Sequence, residues 1–181
     1  MNTGRNIWRA VVVAVAFLGA SPGLALAQGN PTGFLIPVKA TWETTRGLVV
    51  GLIEAMPEDK WDFKPTPAVR SYREVVTHLV GENYLFFGRI AGESHPNPAQ
   101  SLKTKDELVK AVKDSYEYGA KVWSGLTEEK ALEMVDALRG GGKVQRWAYV
   151  LFAIMDNNNH YGNLVVYTRL NGLVPPRSAG R

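Results

Sequence analysis

The chain has no cysteine among its 181 residues. Without a thiol it can form no disulfide bond, offer no thiolate ligand to a metal, and carry no lipid-modified leader of the lipoprotein kind. The folded chain must therefore be held together by core packing and, where a metal is present, by imidazole, carboxylate or amide ligands.

A concentrated run of basic residues is also missing. The net charge is +4, but Arg5 and Arg9 lie in an N-terminal segment that contains no acidic residue. The rest of the chain has 19 basic and 17 acidic side chains. Because nucleic-acid binding needs a basic stripe or patch, we expect no nucleic-acid partner.

The sequence contains none of the common catalytic signatures. It has no Walker loop, no dinucleotide-binding glycine pattern, no nucleophile elbow and no cysteine nucleophile. Nothing in the pattern places a serine beside a helical histidine, so a Ser-His-Asp triad has no support. These absences leave metal chemistry as the best-supported kind of site.

Residues 1–27 have the features of a secretory signal peptide. Arg5 and Arg9 provide the positive region, residues 10–20 form a short apolar run, and residues 25–27 are Ala-Leu-Ala before Gln28. The run is too short and interrupted for a membrane span. We therefore expect export to the periplasm or exterior by cleavage, with no stable membrane insertion afterwards.

The remaining residues, 28–181, predict a single all-α domain, a four-helix bundle with a short extra connector helix. Apolar residues recur at spacings of three and four in the long segments. No stretch alternates with period two, so we predict no sheet. The four long helices are expected over Phe34–Met56, from Ser71 to Ala91, from Thr104 to Trp123 and over Val144–Asn171, with the connector over Thr127–Leu138.

Several helix ends are marked in the sequence. Ser71 with Glu74, and Thr104 with Glu107, form the pattern of a capping box at the start of the second and third helices. Gly172 suits the C-terminal end of the last helix.

Two side chains of the last helix stand out. Asp156 and His160 are four residues apart, so a helix places them one above the other on one face. His78 lies on the second helix. If the two helices face each other, these three groups form a site for a divalent metal in the bundle core. The alternatives are that Asp156 and His160 simply pair with each other or face water, and that His78 is a hydrogen-bonded core histidine.

Further polar residues border this site. Glu82 is one turn beyond His78 and is a fourth ligand, an acceptor for the His78 ring, a catalytic base or a solvated residue. Asn163 is one turn beyond His160 and can orient a water molecule. His95 precedes a proline in a loop, so we expect it to be exposed and outside the site. The run Asn157–Asn159 consists of poor helix formers, which indicates a solvent-exposed helix face, although a site at the mouth of the bundle would also tolerate them.

Several runs together resemble the DinB family over nearly all of the chain after the signal peptide. The first half of the resemblance lies in residues 61–67 (WDFKPTP), Arg70-Ser71 and residues 75–79 (VVTHL). The second half is the closing run of residues 160–176 (HYGNLVVYTRLNGLVPP).

The resemblance implies an up-up-down-down four-helix bundle, often dimeric, with a metal held by three side chains. These are usually three histidines, one matching His78 and the last matching His160. The remaining position is Asp156 here, so the sequence departs from the family at one ligand. Asp156 either ligates the metal or marks a site that binds nothing tightly, and we favour ligation.

The sequence thus predicts an exported protein that binds zinc, nickel, iron or manganese through His78, Asp156 and His160. We expect a hydrolase or a transferase, a thiol-dependent one included, acting on a small-molecule substrate with help from Glu82 or Asn163, and a homodimer. The alternative is a non-catalytic bundle, with or without metal, that binds a small ligand or a protein partner.

Overall fold

A computed structural model describes residues 33–180, and the signal peptide predicted over residues 1–27 lies outside this range. The described chain is mostly helical, which confirms the all-α bundle. Its four long helices are α1 (Leu35–Ala55), α2 (Tyr72–Ala91), α3 (Lys105–Ser124) and α5 (Ala148–Leu170), and α4 (Glu128–Leu132) is a short connector. Single 3₁₀ turns cover Glu58–Lys60, Pro98–Ser101 and Pro176–Ser178.

Each long helix packs against two others. Helix α2 contacts α3 and α5, and α1 contacts the same two helices, so α2 and α5 are direct neighbours. Large aromatic side chains fill the space between them. The ring of Trp42 lies 4.8 Å from the ring of Phe87 and 4.8 Å from that of Tyr116, centroid to centroid. These contacts join α1, α2 and α3 in one apolar core.

The prediction that the chain has no sheet is wrong. Strand β1 (Met134–Asp136) pairs antiparallel with β2 (Lys143–Gln145), so the connector helix ends at Leu132 and the last helix begins at Ala148. Three residues are too few for a period-two pattern to be visible in the sequence. The turn between the strands contains Gly140, Gly141 and Gly142, whose φ angles of 78°, 68° and 89° suit glycine.

The helix ends that carry a capping signal in the sequence agree with the structure. The Ser71 hydroxyl accepts from the Glu74 N–H at 3.1 Å, and the Glu74 carboxylate accepts from the Ser71 N–H at 2.6 Å. Thr104 and Glu107 repeat this capping box at α3. At the end of α5, Gly172 has a φ of 75° and the Leu173 N–H donates to the Thr168 carbonyl, as in a Schellman motif.

No helix between residues 33 and 180 has an apolar stretch long enough to cross a bilayer.

Candidate metal centre

The packing of α2 against α5 brings together three side chains with metal-binding groups. His78 comes from α2, while Asp156 and His160 come from successive turns of α5. One ligand atom from each lies within 4.8 Å of the other two. The two imidazole rings are perpendicular, with centroids 4.9 Å apart. The structure therefore gathers the three residues that the sequence singled out as ligands.

The local structure explains why these groups point at one another. The spacing of four residues puts Asp156 and His160 on one face of α5, and His160 Nε2 is 3.4 Å from Asp156 Oδ1. His160 is 6% exposed, whereas Asp156 and His78 are half-buried. The cluster is thus rooted in the bundle interior and reaches towards the surface.

Two buried atoms of the cluster lack hydrogen-bond partners among residues 33–180. They are Asp156 Oδ2 and His160 Nδ1. Leaving such a group unpaired costs roughly 1–3 kcal/mol, and more when it is charged. Both atoms are ordinary ligands for zinc, nickel, iron or manganese. The donor set therefore fits a divalent cation, which would satisfy the carboxylate directly.

Burial lowers the pKa of His78, and the positive charges of Arg70 and His160 lower it further, against an opposing effect of Asp156. The neutral form of the ring is therefore favoured. Neutral imidazole is the form that binds a metal, because the ligand nitrogen must be free of its proton. The protein environment of His78 thus suits the role of a ligand.

Glu82 lies at the edge of the cluster. Its Oε1 is 3.8 Å from His78 Nδ1, which is too long for a hydrogen bond. Burial raises the pKa of Glu82, and the negative charge of Asp156 raises it further, while Arg139 opposes the shift. A carboxyl group with a raised pKa holds a proton more readily than an ordinary carboxyl group, so Glu82 is a candidate for proton transfer beside the centre.

The structure does not bring the other named residues into the cluster. Asn163 is exposed on α5 and forms no side-chain hydrogen bond with residues 33–180. The ring of His95 lies beside Tyr84 and Tyr118, and its Nε2 is 2.9 Å from Glu93 Oε2. His95 is therefore separate from the candidate centre, as the sequence predicted.

Sequence reasoning missed a buried polar network behind the cluster. Asn157 is completely buried, so the interpretation of residues 157–159 as a solvent-exposed helix face is wrong at this position. Its amide donates to Asn83 Oδ1 at 2.8 Å and accepts from the Tyr116 hydroxyl at 2.5 Å. Asn83 in turn donates to Ser115 at 3.0 Å. The signal was available in principle, because position 157 shares a helix face with the buried Ala153 and Leu164.

A cavity of about 460 Å³ opens beside the cluster. Glu82 and Asp156 form its acidic side, and its other walls include Phe86, Phe152 and Leu138. Two further cavities of about 440 Å³ contain no residue of the cluster. His78 also borders a separate cavity of about 340 Å³. The cavity of about 460 Å³ is therefore the one that combines a residue of the cluster, Asp156, with the neighbouring Glu82 and apolar walls.

A four-helix bundle with a His-Asp-His cluster between its second and last long helices defines the class of this protein. The DinB family matches residues 38–180, and the chain belongs to that family.

Two solved structures illustrate the fold. A DinB-like protein from Bacillus subtilis is 28% identical, with a TM-score of 0.63 over 75% of this chain and 92% of that one. A DinB-like protein from Bacillus cereus is 13% identical, with a TM-score of 0.69 over 77% and 93%. The second likeness supports the fold alone. The chain has no match among the curated proteins.

Proposed function

We propose that this protein is a metal-dependent enzyme in which His78, Asp156 and His160 hold one divalent cation. The observation that carries this proposal is the convergence of three ligand atoms within 4.8 Å of one another. The unpaired buried atoms of Asp156 and His160 support it independently. Zinc, nickel, iron and manganese all accept such a mixed set of nitrogen and oxygen ligands.

The residues around the centre have separate tasks. A bound cation would act as a Lewis acid on the substrate or on a water molecule. Asp156 supplies the negative charge that favours a cation, and the two imidazoles supply nitrogen donors. Glu82, with its raised pKa, accepts or returns a proton at the edge of the cavity. Hydrolysis or group transfer is therefore the proposed reaction class.

Because Asn163 lies on the exposed side of α5, it can orient a water molecule or substrate only where that molecule extends beyond the cluster.

Export by a cleaved signal peptide and assembly into a homodimer also stay predictions. N-terminal sequencing of the mature protein tests the export prediction, which expects Gln28 as the first residue. The molecular mass of the protein in solution tests the homodimer.

Metal content of the purified protein tests the centre. We expect about one equivalent of cation after dialysis, because three protein ligands converge on one point. His160→Ala should lose it, since it removes the most buried ligand. Asp156→Asn is a near-isosteric change that removes only the charge, and it should weaken retention.

His95→Ala is the matched control, because it removes a histidine outside the cluster. If His160→Ala and His95→Ala retained equal metal, the assignment of the ligands would be wrong.

Turnover separates an enzyme from a binding module. The metal-loaded protein should be screened against ester, amide and thiol-transfer substrates beside a variant that lacks all three ligands. Activity that depends on the ligands supports the proposed enzyme. Stoichiometric metal with no turnover by either protein would favour a metal-stabilised bundle that binds a small ligand or partner.

A further inference from the structure

The cavity beside the candidate centre has three walls of different origin. Helix α2 provides Leu85 and Phe86, α5 provides Phe152, and the hairpin β1–β2 provides Leu138 and Arg139. Its volume of about 460 Å³ lies within the usual range for small-molecule sites, roughly 300–1,000 Å³. The hairpin thus completes a ligand-sized space against the bundle.

Most of the side chains that line the cavity are apolar. The rings of Phe86 and Phe152 lie 6.4 Å apart, centroid to centroid. Leu85 and Phe152 are each 37% exposed, although both are large and apolar. An apolar ligand body in the cavity would remove this surface from water, which is the main driving force for such binding.

Arg139 is the one basic residue of the cavity lining. Its guanidinium forms no ion pair and no side-chain hydrogen bond with any residue between 33 and 180. Its charge nevertheless acts on Glu82, whose pKa it lowers against the larger effect of burial. A free guanidinium presents paired donors that match a carboxylate, sulfonate or phosphate.

The charged residues of the cavity lie at opposite ends of it. Arg139 is exposed on the hairpin turn, whereas Asp156 and Glu82 are half-buried. In the metal-free site the two carboxyl groups disfavour an anion at the inner end, and a bound divalent cation would be offset by these same two groups. In either state Arg139 is the uncompensated charge of the lining, and it attracts an anion at the outer end. An anionic ligand would therefore place its charge at Arg139 and an uncharged part at the cluster.

We infer that the substrate of this site is a small organic anion with an apolar body, and that Arg139 binds its charged group at the mouth of the cavity. This inference rests on the proposed function for the identity of the reacting end. The binding of the anion by Arg139 does not require a metal, so the two can be tested separately.

Calorimetric titration with 4-phenylbutyrate and its neutral analogue 4-phenylbutanamide tests the inference. The carboxylate should bind wild-type protein more tightly than the amide, and Arg139→Ala should weaken carboxylate binding by about tenfold, as expected for one charge-assisted contact. The same substitution should leave amide binding unchanged. Phe152→Ala should weaken both ligands, because it removes part of the apolar wall.

Lys143→Ala is the matched control. It removes a positive charge from the same hairpin, but Lys143 pairs with Asp136 and does not line the cavity. It should leave both affinities unchanged. Equal binding of acid and amide, or equal loss in Arg139→Ala and Lys143→Ala, would overturn the inference.

Titrations of zinc-loaded and chelator-treated protein separate the inference from the proposed function. Carboxylate binding that chelation abolishes but Arg139→Ala leaves intact would mean that the metal holds the anion, and the inference would fail. Normal zinc content without Arg139-dependent binding would overturn the inference alone. Arg139-dependent binding by a protein that retains none of zinc, nickel, iron and manganese would sustain the inference and overturn the metal centre.

Discussion

Asn157 shows how much a single side chain contributes to the interior of this bundle. Its amide donates to Asn83 and to the Ala153 carbonyl, both at 2.8 Å, and accepts from the Tyr116 hydroxyl at 2.5 Å. All of these groups lie in the core between α2, α3 and α5. Because water cannot replace a lost partner there, each hydrogen bond matters more than its surface equivalent.

Tyr116→Phe should therefore destabilise the protein by about 1–3 kcal/mol, because Asn157 Oδ1 loses its donor inside the core. Urea denaturation followed by tryptophan fluorescence measures the change. Tyr118→Phe is the matched control, since that hydroxyl bonds to Glu93 at the exposed surface. Equal losses of unfolding free energy in the two variants would show that the buried network stabilises the protein no more than a surface hydrogen bond does.

The candidate centre and this network differ in how well the sequence predicts them. Asp156 and His160 were identifiable because a spacing of four fixes their common face, and His78 was identifiable as a histidine on another apolar helix. Asn157 was harder to identify, because its spacing from Ala153 and Leu164 is a weak signal and three consecutive asparagines look alike in sequence. Only the exact rotation of α5 against α2 and α3 decides that Asn157 faces inward while Asn158 and Asn159 are exposed.

At the scale of helices and strands, the helix ends with clear chemical signals were predicted best. Both capping boxes are present because Ser71 and Thr104 satisfy free amide groups that helix formation leaves unpaired. The start of α5 had no such signal, since Trp147 provides no side-chain cap. The hairpin β1–β2, which precedes α5, was also missed, because two strands of three residues paired across a glycine turn have no clear sequence pattern.

Glu74→Gln tests the charge in the first capping box. The hydrogen bond from the Ser71 backbone lowers the pKa of Glu74, and Lys64 at 2.9 Å lowers it further. A lowered pKa means that the charged form stabilises the fold above the ordinary value of 4.5, and that this stability is lost as the pH falls through the folded value. Glutamine keeps the capping geometry, so the variant loses only the charge.

We expect Glu74→Gln to lower stability at pH 7 by roughly 0.5 kcal/mol, a value limited by solvent screening. The deficit should shrink below pH 4.5 and in high salt. Thermal melts across this pH range measure it. Glu117→Gln is the control, because that residue lies in the middle of α3 and forms no ion pair with residues 33–180. A deficit independent of pH would contradict the electrostatic explanation.

For the whole molecule, the bundle was predictable because it depends on patterns that repeat over twenty residues in each long helix. The cavity was not, since it forms only where the hairpin meets α2 and α5, and no sequence pattern links Arg139 to Phe86. The candidate metal centre was predictable in part. Its residues can be named from the sequence, but their convergence depends on which helices are neighbours.

Metal binding by the folded chain should appear as added stability of the entire domain. Asp156 and His160 come from α5, whereas His78 comes from α2 and precedes them by more than seventy residues, so the unfolded chain cannot present the three ligands together. A cation at a hundredfold excess over its dissociation constant should stabilise the fold by about 2.7 kcal/mol. For a domain of this size that corresponds to a rise in Tm of roughly 5–10 °C.

The measurement is a thermal melt of chelator-treated protein with and without added zinc, nickel or manganese. Wild type and His95→Ala should show the same rise, because His95 lies outside the cluster. His160→Ala should show none, and Asp156→Asn should show a smaller one, since it keeps a neutral oxygen donor but loses the charge. A rise in Tm that persists in His160→Ala would place the metal elsewhere on the protein. If the Tm of wild type did not rise, Asp156 Oδ2 and His160 Nδ1 would lack the metal partner proposed for them.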